Sequence, residues 1–250
     1  MAHRMKSDII ILAAGHGKRM ASELPKALMP LAGRPLVTHV IEAVAAADVA
    51  GTPILVVGQK REQVMEALGH EFRYVIQDEQ LGTGHAVLSA KEAVLPEADT
   101  VLVLYADQPF ITPETIQNLV RIRKESGAQI AMATVVLPDF EEWRSAFLGF
   151  SRVKRNADGE IVGVVENKDA TEEERQILEV NPAYFCFDKE WLFQSLPKLK
   201  NENVQKEYYL TDLVKIAFIE GRKIPSVAIS PREAIGTNSK EDLQSAEKLA

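Results

Sequence analysis

The chain has 250 residues, 46% of them apolar and 26% charged, with a formal net charge of −7. This is globular composition, enough to bury a large core as one domain with at most a small extra lobe, and it argues against long disorder. The acidic balance disfavours general nucleic-acid binding, no apolar run approaches the ~20 residues of a membrane span, and no cleavage pattern follows the first apolar stretch, so a cytoplasmic protein without membrane contact is expected.

Ile9 to Leu12 read as a buried strand that runs into Gly15 and Gly17. Glycines at this place let the backbone turn sharply with its N–H groups exposed, a shape that cradles phosphate oxygens. The loop continues through residues 12–34, LAAGHGKRMASELPKALMPLAGR, and carries Arg19 and Lys26. An arginine forks onto a phosphate and a lysine brings a mobile point charge, so the two can neutralise different parts of one triphosphate. Two familiar phosphate loops are excluded. Gly17-Lys18 is followed by Arg19 where a P-loop needs Ser or Thr, and Met20 stands where the dinucleotide pattern needs its third glycine.

Further strand-like runs at 53–58, 72–76, 100–105 and 129–136 alternate with helix-like stretches at 35–49, 60–68, 83–94 and 112–126. That rhythm predicts an α/β, Rossmann-like fold, a mostly parallel sheet with helices on both faces. Ligands of such sheets bind at the carboxyl ends of the strands, where loops 13–26, 77–84 and 106–110 would share one crevice. After residue 140 the rhythm changes. FSRVKRNADGEIVGVVE reads as a hairpin closed at Asp158-Gly159, followed by an acidic helix at 171–178, which gives a small β-rich lobe at about 140–210 inserted in a single domain over 1–250. VNPAYFCFD then resumes as a strand, and its Cys186 is expected to be a buried, inert thiol. DKEWLFQSL and TDLVKIAFIEG read as helices, KIPSVAI as a last strand, and 239–249 as a helix capped by Asn238 or Ser239. No repeat array of the kind that builds a left-handed β-helix is present.

Asp107 follows the apolar run VLVLYA, so its carboxylate is placed just past a buried strand, where a hard oxygen ligand suits magnesium bridging phosphates. The other reading is a loop-capping aspartate before Pro109. Asn238 offers a second oxygen, or an ordinary helix cap. In QDEQLGTGHA, residues 77–86, Gln77 has the paired donor and acceptor that read a pyrimidine edge, unless the segment is a plain turn into a helix. Glu166, Asn181 and the segment EYYLTD, with Glu207, Tyr208, Tyr209 and Thr211, supply groups that sugar hydroxyls require; each alone is equally consistent with surface or core. Histidines at 3, 16, 39, 70 and 85 show no zinc spacing, and no Gly-x-Ser-x-Gly elbow for acyl transfer appears.

The pattern LxxGxGxRM followed by LPKxLxPLxGxPL resembles the opening signature of sugar nucleotidyltransferases. Together with QDEQLGTGHAV, LYADQP, GEIVGVVENKDATEEERQILEVNPAYFCFD and NVQKEYYLTDLV, it makes nearly the whole chain resemble the uridylyltransferase domain of the bacterial N-acetylglucosamine-1-phosphate uridyltransferases. The resemblance implies that UTP and N-acetylglucosamine 1-phosphate are converted to UDP-N-acetylglucosamine and pyrophosphate, with Mg2+ as cofactor. It implies that Leu12, Ala13, Ala14, Gly15, Gln77, Gly82 and Thr83 hold the nucleotide and that Arg19 and Lys26 act catalytically on the phosphates. It also implies that Asp107 and Asn238 hold the metal, and that Tyr105, Gly149, Glu166, Asn181, Tyr209 and Thr211 contact the sugar.

Three departures from the family stand out. Ala106 precedes the metal aspartate where glycine is usual, and Asn181-Pro182-Ala183 replaces Asn-Thr/Ser-Gly. The acetyl-transferring β-helix of the bifunctional enzymes has no counterpart here, so acetyl transfer is not expected. The rival readings are a transferase for another sugar 1-phosphate, a cytidylyltransferase (ADQP also occurs in that wider superfamily) and a non-catalytic nucleotide-sugar-binding regulator. Intact Arg19, Lys26 and Asp107 argue against the last.

Overall fold

In a computed structural model, which describes residues 7–15 and 22–250, the first apolar run forms strand β1 (Ser7–Leu12). Ile9 and Ile11 pack on one face of the sheet and Ile10 and Leu12 on the other, in two separate cores. Burial on both faces explains why the strand reads as a continuous apolar run instead of alternating. A 3₁₀ turn at Lys26–Leu28 leads into a tight hairpin, β2 (Pro30–Leu31) and β3 (Arg34–Pro35). The expected alternation then follows: α1 (Leu36–Ala47), β4 (Ile54–Val57), α2 (Arg61–Leu68), β5 (Arg73–Ile76), α3 (Thr83–Ser89), β6 (Thr100–Tyr105), α4 (Pro113–Ser126) and β7 (Ile130–Val136). Helix α3 is shorter than the predicted 83–94, because a separate 3₁₀ turn at Lys91–Ala93 takes over its last part.

Strands β5, β4, β1 and β6 lie side by side in that order, all parallel. Because β4 and β6 flank β1 on opposite sides, the chain leaves β1 for one side of the sheet and later returns on the other. The crevice beyond Leu12 and Tyr105 is therefore a topological switch point, where open α/β sheets bind their ligands.

Beyond β7 come a 3₁₀ segment at Glu142–Gly149, not predicted, and the hairpin β8 (Ser151–Arg155) and β9 (Ile161–Val165). Helix α5 (Glu172–Arg175) is capped reciprocally by Thr171 and Glu174. The run read as one strand from Val180 is interrupted. It forms β10 (Glu179–Asn181) and β11 (Phe185–Asp188), both antiparallel to β7, and Ala183 between them has φ of 67°. Proline at 182 and left-handed backbone at 183 cannot continue a ladder. β11 pairs with β6 and β10 with β8, so the two fragments join the parallel sheet to the outer hairpin. Helices α6 (Lys189–Ser195) and α7 (Asp212–Ile219), strand β12 (Ser226–Ala228), parallel to β7, and helix α8 (Lys240–Glu247) complete the chain. Strands β5, β4, β1, β6, β7 and β12 run parallel, with β11 set against them and β10, β8 and β9 alternating in direction beyond β7, so the mostly parallel α/β expectation holds for the part of the sheet that carries the crevice. Cys186 is buried, and burial pushes its thiol up to about 12. No helix among the described residues is long and apolar enough to cross a membrane.

Candidate active site

At the carboxyl end of β1, the backbone of Ala13, Ala14 and Gly15 forms one wall of a cavity of about 230 Å³. This segment is held from both sides, since Ala13 N donates to Val56 O at 2.8 Å and Ala106 N donates to Leu12 O at 3.0 Å. Lys26, Asp107, Gln77, Gly82, Thr83 and Tyr105 line the same cavity. Seven predicted nucleotide positions, Leu12 through Gly15, Gln77, Gly82 and Thr83, thus surround one space. Arg19 lies outside the described residues.

Loop 77–84 is held by a network of its own. Gln77 is buried, and its amide nitrogen donates to Gly82 O at 3.1 Å and stands 3.1 Å from His85 Nδ1. The amide NH₂ is therefore engaged within the loop, which leaves the amide oxygen as the group with acceptor capacity. Gln80, not singled out in the sequence, donates its amide to the Ala14 carbonyl and so ties this loop to the phosphate loop. Gly58 lies at the same junction: a Cβ there would stand 3.0 Å from Ala14 O and from Gln80 Nε2. The segment after residue 206 docks on top, with Tyr208 N donating to Leu81 O at 2.7 Å, Gly84 N to Tyr208 O at 2.8 Å and Leu210 N to Thr83 Oγ1 at 3.0 Å. This docking brings Glu207 to the cavity wall.

The two predicted metal ligands meet around a cation that belongs to the protein. The Lys26 ammonium donates to Asp107 Oδ2 and, at 2.7 Å, to Asn238 Oδ1. Asn238 reaches this point because the preceding residue is fastened to the aspartate's own backbone, with Thr237 N and Oγ1 donating to Asp107 O at 2.9 and 3.1 Å. Ser239, not Asn238, caps α8: its hydroxyl accepts from Asp242 N, and Asp242 answers the cap backbone. The helix-cap alternative for the Asn238 side chain is thereby set aside.

The predicted sugar contacts divide into groups. Tyr105 lines the cavity beside Gln77 and Thr83, while Glu166 and Tyr209 line an adjoining depression, where Thr211 Oγ1 donates to Glu166 Oε1 at 2.8 Å. The two groups adjoin at Tyr105, whose hydroxyl is held above its ordinary value by burial first, then by the charge of Glu166 and, more weakly, Asp107. Burial also raises the Glu166 carboxyl, and Asp169 and Glu207 add to the effect, although hydrogen bonds from Thr211 and Ser151 oppose it. Asp212 at the start of α7 is pushed up to about 6 by burial and by Glu166. Asn181 is buried at the end of β10, its Oδ1 accepting from Ala183 N at 2.9 Å while its Nδ2 has no protein partner. Gln108, also not singled out in the sequence, donates to Pro182 O at 2.9 Å and holds this turn against the loop that carries Asp107. Gly149 stands apart in the turn before β8, outside both groups, with open space where a Cβ would project.

Residues 9–207 match the model of the MobA-like NTP transferase domain, and the chain belongs to that family. It is 41% identical over 244 residues to the bifunctional protein GlmU of Exiguobacterium sibiricum, covering 97% of this chain and 53% of that protein. It is 44% identical over 246 residues to the bifunctional protein GlmU of Alkaliphilus oremlandii, covering 98% and 52%. The chain spans about half the length of the curated relatives it matches. Among solved structures, a UDP-glucose pyrophosphorylase complexed with UDP-glucose shares the fold with a TM-score of 0.77 at 17% identity, covering 98% of both chains. A CMP:2-keto-3-deoxy-manno-octonic acid synthetase complexed with CTP does so with a TM-score of 0.70 at 19% identity, again covering 98% of both.

Proposed function

We propose that the protein transfers a uridylyl group from UTP to N-acetylglucosamine 1-phosphate, forming UDP-N-acetylglucosamine and pyrophosphate. The observation that carries this reading is that Lys26 and Asp107, joined to Asn238 through the Lys26 ammonium, line one cavity together with Gln77. The one cavity thus offers charges for phosphates and an amide to read a base. With the Gln77 nitrogen turned to Gly82 O, the amide oxygen suits the N3–H of uracil, a donor that cytosine lacks. The similarity to GlmU proteins over nearly the whole chain supports the sugar.

The donor set fits magnesium. Asp107 and Asn238 contribute two hard oxygens already converging on one cation, and Mg2+ is ordinarily bound by one or two protein oxygens plus substrate phosphates and water. When bound, it would supply neutralisation of the charge that accumulates on the α-phosphate and the departing pyrophosphate. The protein's own part is positioning. The backbone at Ala13–Gly15 and Gln77 fixes the nucleotide, Lys26 contributes positive charge to the phosphates, and Glu166 with Thr211 orients the sugar hydroxyls. A phosphate oxygen of the sugar phosphate attacks the α-phosphorus in line as pyrophosphate leaves. A phosphate dianion is already nucleophilic, so orientation and charge neutralisation suffice and no covalent enzyme intermediate is required.

The test is product identity. With UTP labelled at the α-phosphorus and N-acetylglucosamine 1-phosphate, the label should appear in UDP-N-acetylglucosamine and none in pyrophosphate. Label in inorganic phosphate or UMP alone would reject the transfer.

A further inference from the structure

We propose that Lys26 is a placeholder for the metal: its ammonium occupies the cation position between Asp107 and Asn238 until a nucleotide draws it away. This rests on the reading above that those two oxygens are the metal ligands. The ammonium donates to Asp107 Oδ2 and to Asn238 Oδ1 at once, the latter at 2.7 Å. A magnesium ion needs the same lone pairs at about 2.0–2.1 Å. An ammonium bonded to both oxygens stands where the metal would sit, and two cations there would repel at contact distance. Metal entry therefore requires Lys26 to leave.

The surroundings supply a destination. The Lys26 stem runs beside the phosphate loop, its Cδ 3.9 Å from where a Cβ on Gly15 would lie. A phosphate seated over that backbone would offer the ammonium new oxygens. The two acceptors stay behind together, because Thr237 fastens the Asn238 segment to the Asp107 carbonyl. Nucleotide binding thus vacates a preformed metal position, and metal and triphosphate bind with positive coupling. Without nucleotide, the apparent metal affinity is lowered by the fraction of molecules in which Lys26 holds the position. The consequence is an ordered site that accepts metal together with its triphosphate and disfavours metal alone.

The experiment measures Mn2+ binding to the whole chain without nucleotide, reading free Mn2+ by electron paramagnetic resonance. Wild type, Lys26→Met, Lys26→Gln and the combination of each with Asp107→Asn are compared. Removing the ammonium should tighten Mn2+ binding about tenfold or more, and Asp107→Asn should abolish the gain. Mn2+ should also raise the unfolding temperature of the Lys26 variants more than that of wild type, a readout that survives if the variants are less stable. Unchanged Mn2+ affinity in both Lys26 variants, with binding still dependent on Asp107, would overturn the placeholder and leave the metal site standing. Mn2+ binding indifferent to Asp107 would overturn the metal assignment itself, and the placeholder with it.

Discussion

A Cβ placed on Gly82 would stand 2.7 Å from both the backbone nitrogen and the backbone oxygen of Tyr208. Gly82 also has φ of 111°, which side chains other than hydrogen rarely adopt. The glycine thus lets segment 207–211 close over loop 77–84 and bring Glu207 to the cavity.

Gly82→Ala is expected to cost about 2–4 kcal/mol, the sum of backbone strain and a clash with atoms that cannot rotate away. Gly84→Ala should cost less, about 1 kcal/mol, because its nearest obstacle is the movable tip of the Leu199 side chain, the Tyr208 carbonyl oxygen stands at 3.0 Å instead of 2.7 Å, and alanine favours the helix. Denaturant unfolding of the two variants side by side checks the order, and equal losses would contradict the docking role given to Gly82.

Ala183 invites the opposite experiment. Its φ of 67° puts a non-glycine residue in left-handed backbone next to Asn181, one of the proposed sugar contacts. Ala183→Gly should relieve about 1–2 kcal/mol of strain, partly offset by greater freedom in the unfolded chain, for a net gain of roughly 0.5–1 kcal/mol. With Pro182→Thr added, the Michaelis constant for the sugar phosphate should fall several-fold. An unchanged constant would mean that this turn does not face the sugar.

The acidic group around Glu166 makes a pH prediction. Asp212 has its carboxyl raised from 3.8 to about 6 by burial and by Glu166. Below pH 4 both the folded and unfolded forms are protonated there and no stability is lost. As pH rises toward 6 the unfolded chain ionises first, so wild type should lose stability over that interval and then level off. Because Asp212 is only partly buried, the loss should be about 1–2 kcal/mol, and Asp212→Asn should remove it. Parallel stability curves for the two proteins from pH 4 to 8 would contradict this.

Much of the fold was legible because periodicity reports burial. The parallel core strands appear as apolar runs, and Thr112-Pro113 and Gly127 bracket α4 as start and stop signals should. The direction of β11 was not legible, since a strand buried on both faces reads alike in either orientation. Residues 180–188 read as one strand although they contain Pro182, and nothing in the sequence tells that the interruption would hand one fragment to β6 and the other to β8. At the site, Lys26 and Asp107 stood out by chemistry, whereas Gln77 is singled out from a plain turn only by the family resemblance. Gln80, Gly58 and Gln108 did not stand out, because each acts by a close approach between segments distant in sequence. That Lys26 would hold the Asp107 and Asn238 oxygens together was likewise invisible before the three loops met.

Asp107→Ala and Lys26→Ala should each lower turnover by about two orders of magnitude or more with the fold retained, because both act on charge at the phosphates. Far-ultraviolet dichroism controls for folding, and near-normal turnover in either folded variant removes that residue from the mechanism.

The most direct measurement is the rate of pyrophosphate release over a grid of UTP, CTP, dTTP and ATP against several sugar 1-phosphates, with and without Mg2+. The account predicts one dominant cell, UTP with N-acetylglucosamine 1-phosphate, silent when the metal is withdrawn. Comparable rates with CTP or dTTP, or a faster reaction with a different sugar 1-phosphate, would contradict it.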